Sequence, residues 1–266
     1  MSVCDKNVNV DACTEIVRKK IKDVKHLKNI NTDDIYIQRF LYSTGCLDTE
    51  EAFQRMLLYH ETIVKIPDYY PKLGPKDIKD VLDMNFSVVL DDCDKEGRPI
   101  YYEKMERLDP ARLTSMDVIA AEEIWFEYIL SRHPEKAGKG LCMLVDVSGY
   151  SWKLFKWLTP SALSNGRRKI DAIPFKEIQV HIVNHSLMVD VALKLAWPFV
   201  PEERKKTVHC YFNNYETLFE HIDKSVLPAE YGGENEVNFT KLTQKLYDRN
   251  EEISRNFQLY KNVIKL

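Results

Sequence analysis

The run "GLCMLVDVSGY", Gly140 to Tyr150, constrains the fold more than any other stretch of the chain. Its first half is apolar at consecutive positions instead of every second one. A strand of that kind must be covered on both faces. "EIQVHIVNHS" and "KTVHCYFNN" read as further short strands, with helical patterns lying between the three. Strands that alternate with helices predict an α/β fold with a largely parallel sheet.

The segments on either side fit around that sheet. Up to about Pro75 the spacing predicts helices. Ile16, Val17, Ile21 and Val24 recur helically within Val10 to Leu27. "TDDIYIQRFLYSTG" opens on capping residues and stops at Gly45. "DTEEAFQRMLLYHETIVKI" opens on Asp48 and is ended by Pro67. "DYYPKLGPKD" is a connector. "FSVVLDD" (Phe86–Asp92) and "PIYYEKME" (Pro99–Glu106) predict a strand pair joined by a turn. "SMDVIAAEEIWFEYILSRH" predicts a long helix, and "SWKLFKWL" a loop or short turn. "TPSALSNGRRKIDAI" predicts a helix with Thr159 as N-cap and Pro160 at its first position. The last thirty residues predict a polar helix packed on the outside. The expected division is a helical domain over 1–75, an α/β domain over 76–235 and a helical extension over 236–266.

Several function classes fall away. A formal charge of -3 gives no bulk attraction to nucleic acid. No apolar run reaches the ~18–20 residues that cross a bilayer, and the first residues lack the apolar core of a signal peptide. A cytoplasmic protein is therefore expected. The six cysteines form no C-x-x-C pair, so free thiols and no zinc site are expected. There is no P-loop, no G-x-G-x-x-G and no nucleophile elbow. Asp146 stands where an α/β enzyme places an acid, but a cap on the loop "VSGYS" is the simpler reading. His181 and His185 straddle a strand end without a third ligand at metal spacing, and His209 reads as a satisfied sheet histidine. Glu122 and Glu123 diverge by about 100° on their helix, which predicts one exposed and one hydrogen-bonded carboxylate. Arg167, Arg168 and Lys169 read as a solvated helix face. No catalytic residue, metal or cofactor is expected.

"LMVDVALKLAWPFVPEERKK", Leu187 to Lys206, begins as a helix that is apolar around nearly its whole circumference. Asp190 and Lys194 form its only polar stripe. Such a helix is either fully buried or covers something apolar. Followed by "TVHCYFNNYETLFEHIDKSVLPAEYGGE", and preceded by "VHIVN", it resembles the CRAL-TRIO (Sec14-like) lipid-transfer family. "FLYSTGCLDTEEAFQRMLLY" resembles that family's small N-terminal helical domain, and "GLCMLVDVSGYSW…LTPS" its first long buried strand. The ordered set spans roughly residues 10 to 250, with "LPAEYGGE" its most specific piece.

The resemblance implies a sheet that floors an apolar cavity and a gate helix that closes it. It implies a non-enzymatic, monomeric carrier of one lipophilic molecule, such as a tocopherol, a retinoid, a carotenoid or another isoprenoid-like lipid. Such a carrier contacts membranes peripherally and reversibly. The alternative is a module that senses a phospholipid or phosphoinositide without bulk transfer. The cavity would be lined from the sheet by Leu141, Met143, Val145, Val180 and Ile182. The long helix would add Ile119, Glu122, Phe126 and Ile129, and the segments between the strands Leu158, Ile173 and Phe175. The gate would add Val189, Ala192, Leu193 and Ala196. Arg204, Lys205 and Lys206, with Lys176, would meet anionic headgroups. The phosphoinositide cleft of the family is only partly matched: Lys176 and Lys205 stand at basic places, but Tyr42, Thr44, Ile178, Glu203 and Thr207 occupy others.

Overall fold

The computed structural model describes residues 9–24, 30–212 and 214–264. Helix α1 (Val10–Lys22) starts at Asn9, whose side chain accepts from the Asp11 and Ala12 amides. It ends at Lys22, capped by Asp23 and short of the expected Val24, and residues 25–27 of the expected helix lie outside the described ones. Helix α2 (Asp34–Ser43) stops before Gly45, which takes the left-handed φ of 78°. Helix α3 (Thr49–Lys65) is capped by Asp48, as its sequence predicts. Val17, Ile37, Phe40, Met56 and Ile63 interlock where these three helices meet and are fully buried.

A short helix α4 (Lys79–Leu82) precedes the sheet. Its strands are β1 (Ser87–Cys93), β2 (Pro99–Lys104), β3 (Leu141–Asp146), β4 (Ile178–Val183) and β5 (Val208–Cys210), in that spatial order. The β1–β2 pair is antiparallel and the rest are parallel. Between them run α5 (Ser115–Arg132), α6 (Trp152–Phe155), α7 (Pro160–Ala172), α8 (Leu187–Ala196) and α9 (Glu202–Lys205). Helix α5 opens with a reciprocal cap between Thr114 and Asp117. Helix α7 opens on the Thr159 cap and Pro160. "SWKLFKWL" contributes the single turn α6. The end of the chain forms two helices, α10 (Phe239–Tyr247) and α11 (Asn250–Ile264), instead of the one expected. They are not merely external: Phe239, Leu246, Ile253 and Phe257 are part of the core.

The register fixes what each sheet face carries. Tyr101, Met143, Val180 and Val208 form one cross-strand row, and Glu103, Val145, Ile182 and Cys210 the next. Alternation sends both rows to the same face. Tyr102, Leu144 and His181 point the other way. There His181 donates to or accepts from the Tyr211 hydroxyl at 3.0 Å and stacks on His209. Burial pushes it down to about 3, so it stays neutral.

The second face explains "LPAEYGGE". Tyr231 donates to Asp146 Oδ2 at 2.6 Å, and Glu230 accepts from the Tyr102 hydroxyl and from Lys104 Nζ. Gly232 takes φ 82°, and a Cβ on Gly233 would lie 1.9 Å from the Leu227 carbonyl oxygen. The motif is a clasp across the ends of β2 and β3. Asp146 also accepts from the Ser148 amide and Asn184 Nδ2, which makes it the cap of its loop. A second polar lock joins the N-terminal helices to the rest. Arg39 on α2 makes a bidentate pair with Glu127 on α5 at 2.6 and 3.0 Å, and Asn256 on α11 donates to the same carboxylate. Cys13, Cys93, Cys142 and Cys210 are free thiols, but Cys46 is disulfide-bonded, which corrects the expectation for that residue.

Candidate functional site

On the face that carries Met143 and Val180, helices α5 and α7 stand over a cavity of about 270 Å³. The sheet supplies Met143, Ile178, Val180 and Val208, and α5 supplies Ile119, Glu122 and Phe126. Helix α7 gives Gly166, Lys169 and Ile170, followed by Ile173. These fall at i, i+3, i+4 and i+7, one face of a helix. Val200, Arg204 and Thr207 close one side and Tyr69 another. Ile170 is 43% exposed and marks the mouth. Gly166 leaves room: a Cβ placed there meets nothing within 4 Å.

Of the expected lining residues, Ile119, Glu122, Phe126, Met143, Ile173 and Val180 reach this wall. Val145, Ile182, Val189 and Leu193 instead pack with Val147 in a neighbouring apolar cluster under α8, which Val180 and Val208 join to the cavity. Ala192 is buried there and Ala196 is half-buried at the helix end. The segment after the gate, not the gate helix itself, therefore meets the cavity. Phe175 sits behind the wall, edge-on to Phe126 at 5.8 Å. Leu141 is fully buried at the start of its strand, and Leu158 lies in the α6–α7 turn. Ile129, one turn beyond Phe126, lines a separate groove with Val89 and Tyr128.

The expected headgroup residues have different surroundings. Arg204 donates to the Ile170 carbonyl and lies 3.8 Å from Asp171. Lys205 pairs with Glu202 and sits over the Trp197 ring. Lys206 is exposed, and Lys176 lies alongside Gly45. A larger groove, about 1230 Å³, is lined by Arg18, Arg39, Arg249 and their neighbours. Arg18 pairs there with Glu15 and Asp34, Arg39 with Glu127, and Arg249 with Glu252, whereas Arg132 donates to the Tyr128 hydroxyl.

Two expectations on polar residues are corrected here. Lys169 is buried, not solvated, and its ammonium is shared by Glu122 and Glu123. Both carboxylates thus reach one partner despite their divergence, because Lys169 enters between them from α7. Burial alone would lower the Lys169 ammonium, but the two carboxylates outweigh it and hold it above its ordinary value. Burial raises Glu123. Burial first, and the Glu122 charge second, push the Glu103 carboxyl up from 4.5 to about 7.

The Glu103 shift has a measurable consequence. A carboxyl raised by folding holds its proton more tightly in the folded state. The stability it contributes is full below pH 4.5 and is lost as pH rises through 7. Glu103→Gln keeps the size and cannot ionise. Its gain over the native protein should be on the order of 2 kcal/mol at pH 8 and absent near pH 4, read by urea unfolding. An equal loss from pH 5 to pH 8 in both proteins contradicts the assignment.

Sequence spacing held the signal for the missed α7 face, since Gly166, Lys169, Ile170 and Ile173 are helically spaced. The adjacent arginines masked it. Ile178 and Val208 continue the strand alternation of Val180 and were equally legible. Tyr69, Val200 and Thr207 come from irregular segments with no period to read.

Residues 83–233 match the family model of the CRAL/TRIO domain. Clavesin-2 of Rattus norvegicus and of Homo sapiens are each 28% identical to the chain over 207 residues, which cover 77% of it and 63% of the relative. Clavesin-1 of Xenopus laevis shares the same identity over 62% of its length. The chain thus spans less than two thirds of these relatives. A solved structure of Sfh5 superposes over 88% of this chain and 87% of its own, with 13% identity and a TM-score of 0.47.

Proposed function

The chain belongs to the CRAL/TRIO domain family, and from that premise we propose that it holds one compact lipophilic molecule in the cavity between α5, α7 and the sheet and carries it between membranes. The observation that supports this is the cavity itself, apolar except for Glu122, Lys169 and rim residues, on the sheet face that the sequence predicts. Each buried CH₂ of a ligand contributes ~0.8 kcal/mol, so affinity needs no covalent chemistry. Among the described residues no helix is long and apolar enough to cross a membrane, and no group of three His, Cys, Asp or Glu is arranged to hold a metal.

The gate supplies the membrane contact. Leu187, Val191 and Leu195 lie at i, i+4 and i+8 on α8 and are 82%, 45% and 48% exposed. Trp152 on α6 is also exposed. A stripe of this kind gains by entering the boundary of a bilayer. In a vesicle-to-vesicle transfer assay with a fluorescent polyene, native protein should accelerate exchange. The triple variant Leu187→Ser, Val191→Ser, Leu195→Ser should transfer at least tenfold more slowly with unchanged affinity for the polyene in solution. Native protein that binds the polyene but never accelerates its exchange overturns the carrier role and leaves a sensing module.

A further inference from the structure

The wall of the cavity is apolar except for the Glu122–Lys169 pair and, at its rim, Arg204 and Thr207. Glu122 and Lys169 stand in it. The single ammonium of Lys169 serves both Glu122 and Glu123. Glu103 adds a third carboxyl from the sheet. It sits on the cavity-side face, one row along from Met143, and is 8% exposed. Its hydrogen bond, from the Tyr101 hydroxyl, is 3.4 Å long, beyond the 2.5–3.0 Å usual for O–H···O. Glu103 and Glu122 act on each other through their charge. Arg204, the other cation in the wall, is turned to the Ile170 carbonyl and Asp171. Two carboxylates therefore share one ammonium, a third, Glu103, acts on Glu122 through its charge, and the Glu122 oxygen not held by Lys169 keeps acceptor capacity.

Resting on the carrier reading, we propose that Glu122 and Glu103 determine ligand specificity: the cavity selects a compact lipophile whose polar end donates a hydrogen bond, an alcohol or a primary amine, and rejects lipids that end in a carboxylate, sulfonate or phosphate. Glu122 is the group that meets the ligand. Glu103 is a positioning residue that acts through Glu122. An anionic end would join two like charges in a site of low dielectric, with Lys169 already engaged. A donor end would satisfy the Glu122 oxygen not held by Lys169, which a bound ligand would otherwise cut off from water, and an acceptor sealed off without a partner is costly. The volume agrees: about 270 Å³ lies at the lower edge of the ~300–1,000 Å³ that ligand sites commonly offer, which suits one slim molecule and not a two-chain phospholipid.

The test is displacement of diphenylhexatriene, a fluorophore with no polar end, by tetradecanol, tetradecylamine and tetradecyl sulfonate below their micellar concentrations. The sulfonate is charged at every pH used. Native protein at pH 7 should prefer the alcohol and the amine to the sulfonate by at least tenfold. Glu122→Gln should bring the sulfonate to within about threefold of the alcohol, since Lys169 then loses a counterion. In native protein the preference should grow from pH 6 to pH 8 as Glu103 ionises, and in Glu103→Gln it should stay flat. A purely structural Glu103 would leave that pH profile unmoved. Equal displacement by all three ligands, or a preference indifferent to Glu122→Gln in a folded variant, overturns the inference while the carrier reading stands. Failure of the native protein to bind the fluorophore at all overturns the carrier reading and the inference with it.

Discussion

Gly166→Phe should give a folded protein that has lost its ligand. The position lines the cavity from α7, and a Cβ there meets nothing within 4 Å. A phenyl ring added at this point grows into the cavity and not into a neighbour. Replacing a helix-interior glycine also favours the folded state, by about 0.5 kcal/mol for phenylalanine. The expected result is an unfolding midpoint in urea equal to or above the native one, with affinity for diphenylhexatriene reduced at least a hundredfold. Gly166→Ala separates the two effects. It adds one methyl group, gains about 1 kcal/mol of helix stability, and should bind within a few fold of native. A Phe variant that binds like native protein places the ligand elsewhere.

The second large effect concerns stability. Arg39→Met should cost about 3–5 kcal/mol, because it leaves the Glu127 carboxylate buried without its cation. The pair is bidentate, its side chains are 2% and 4% exposed, and the guanidinium also lies over the Tyr36 ring at 4.6 Å. It ties α2 to α5, and Asn256 extends the tie to α11. Arg39→Met combined with Glu127→Leu should recover most of the loss, since a well-packed apolar pair of similar volume often matches a buried ion pair. Urea unfolding of the three proteins measures this. A single variant within 1 kcal/mol of native would show that the lock carries little.

The sheet and its order of elements were legible because they rest on periodicity. A consecutive apolar run such as Leu141–Val145 admits few environments, and Asp48, Gly45, Thr159 and Pro160 mark helix ends by local hydrogen bonding alone. The cavity was legible where it follows the same periods, as with Met143, Val180, Ile119 and Phe126. Long-range pairing was not. Nothing local to "GRRKID" says that Lys169 turns inward while Arg167 and Arg168 stay out. That outcome depends on Glu122 and Glu123, some 47 positions earlier, arriving opposite it. The reach of the gate failed for a related reason. The register of α8 over Val147 and Ile182 puts its apolar face on a cluster beside the cavity, and a helix pattern carries no record of which part of a sheet it will cover. Ile129 was lost to its place along the axis: it shares the face of Glu122, but about 10 Å further along α5 that face meets a separate groove beside Val89.

The most direct test of the carrier account is native mass spectrometry of the purified protein after exposure to a lipid extract. The account predicts one bound lipophile per chain, of a mass well below that of a two-chain phospholipid, and none on Gly166→Phe treated in parallel. A native protein that stays empty, or the same species bound to both proteins, contradicts it.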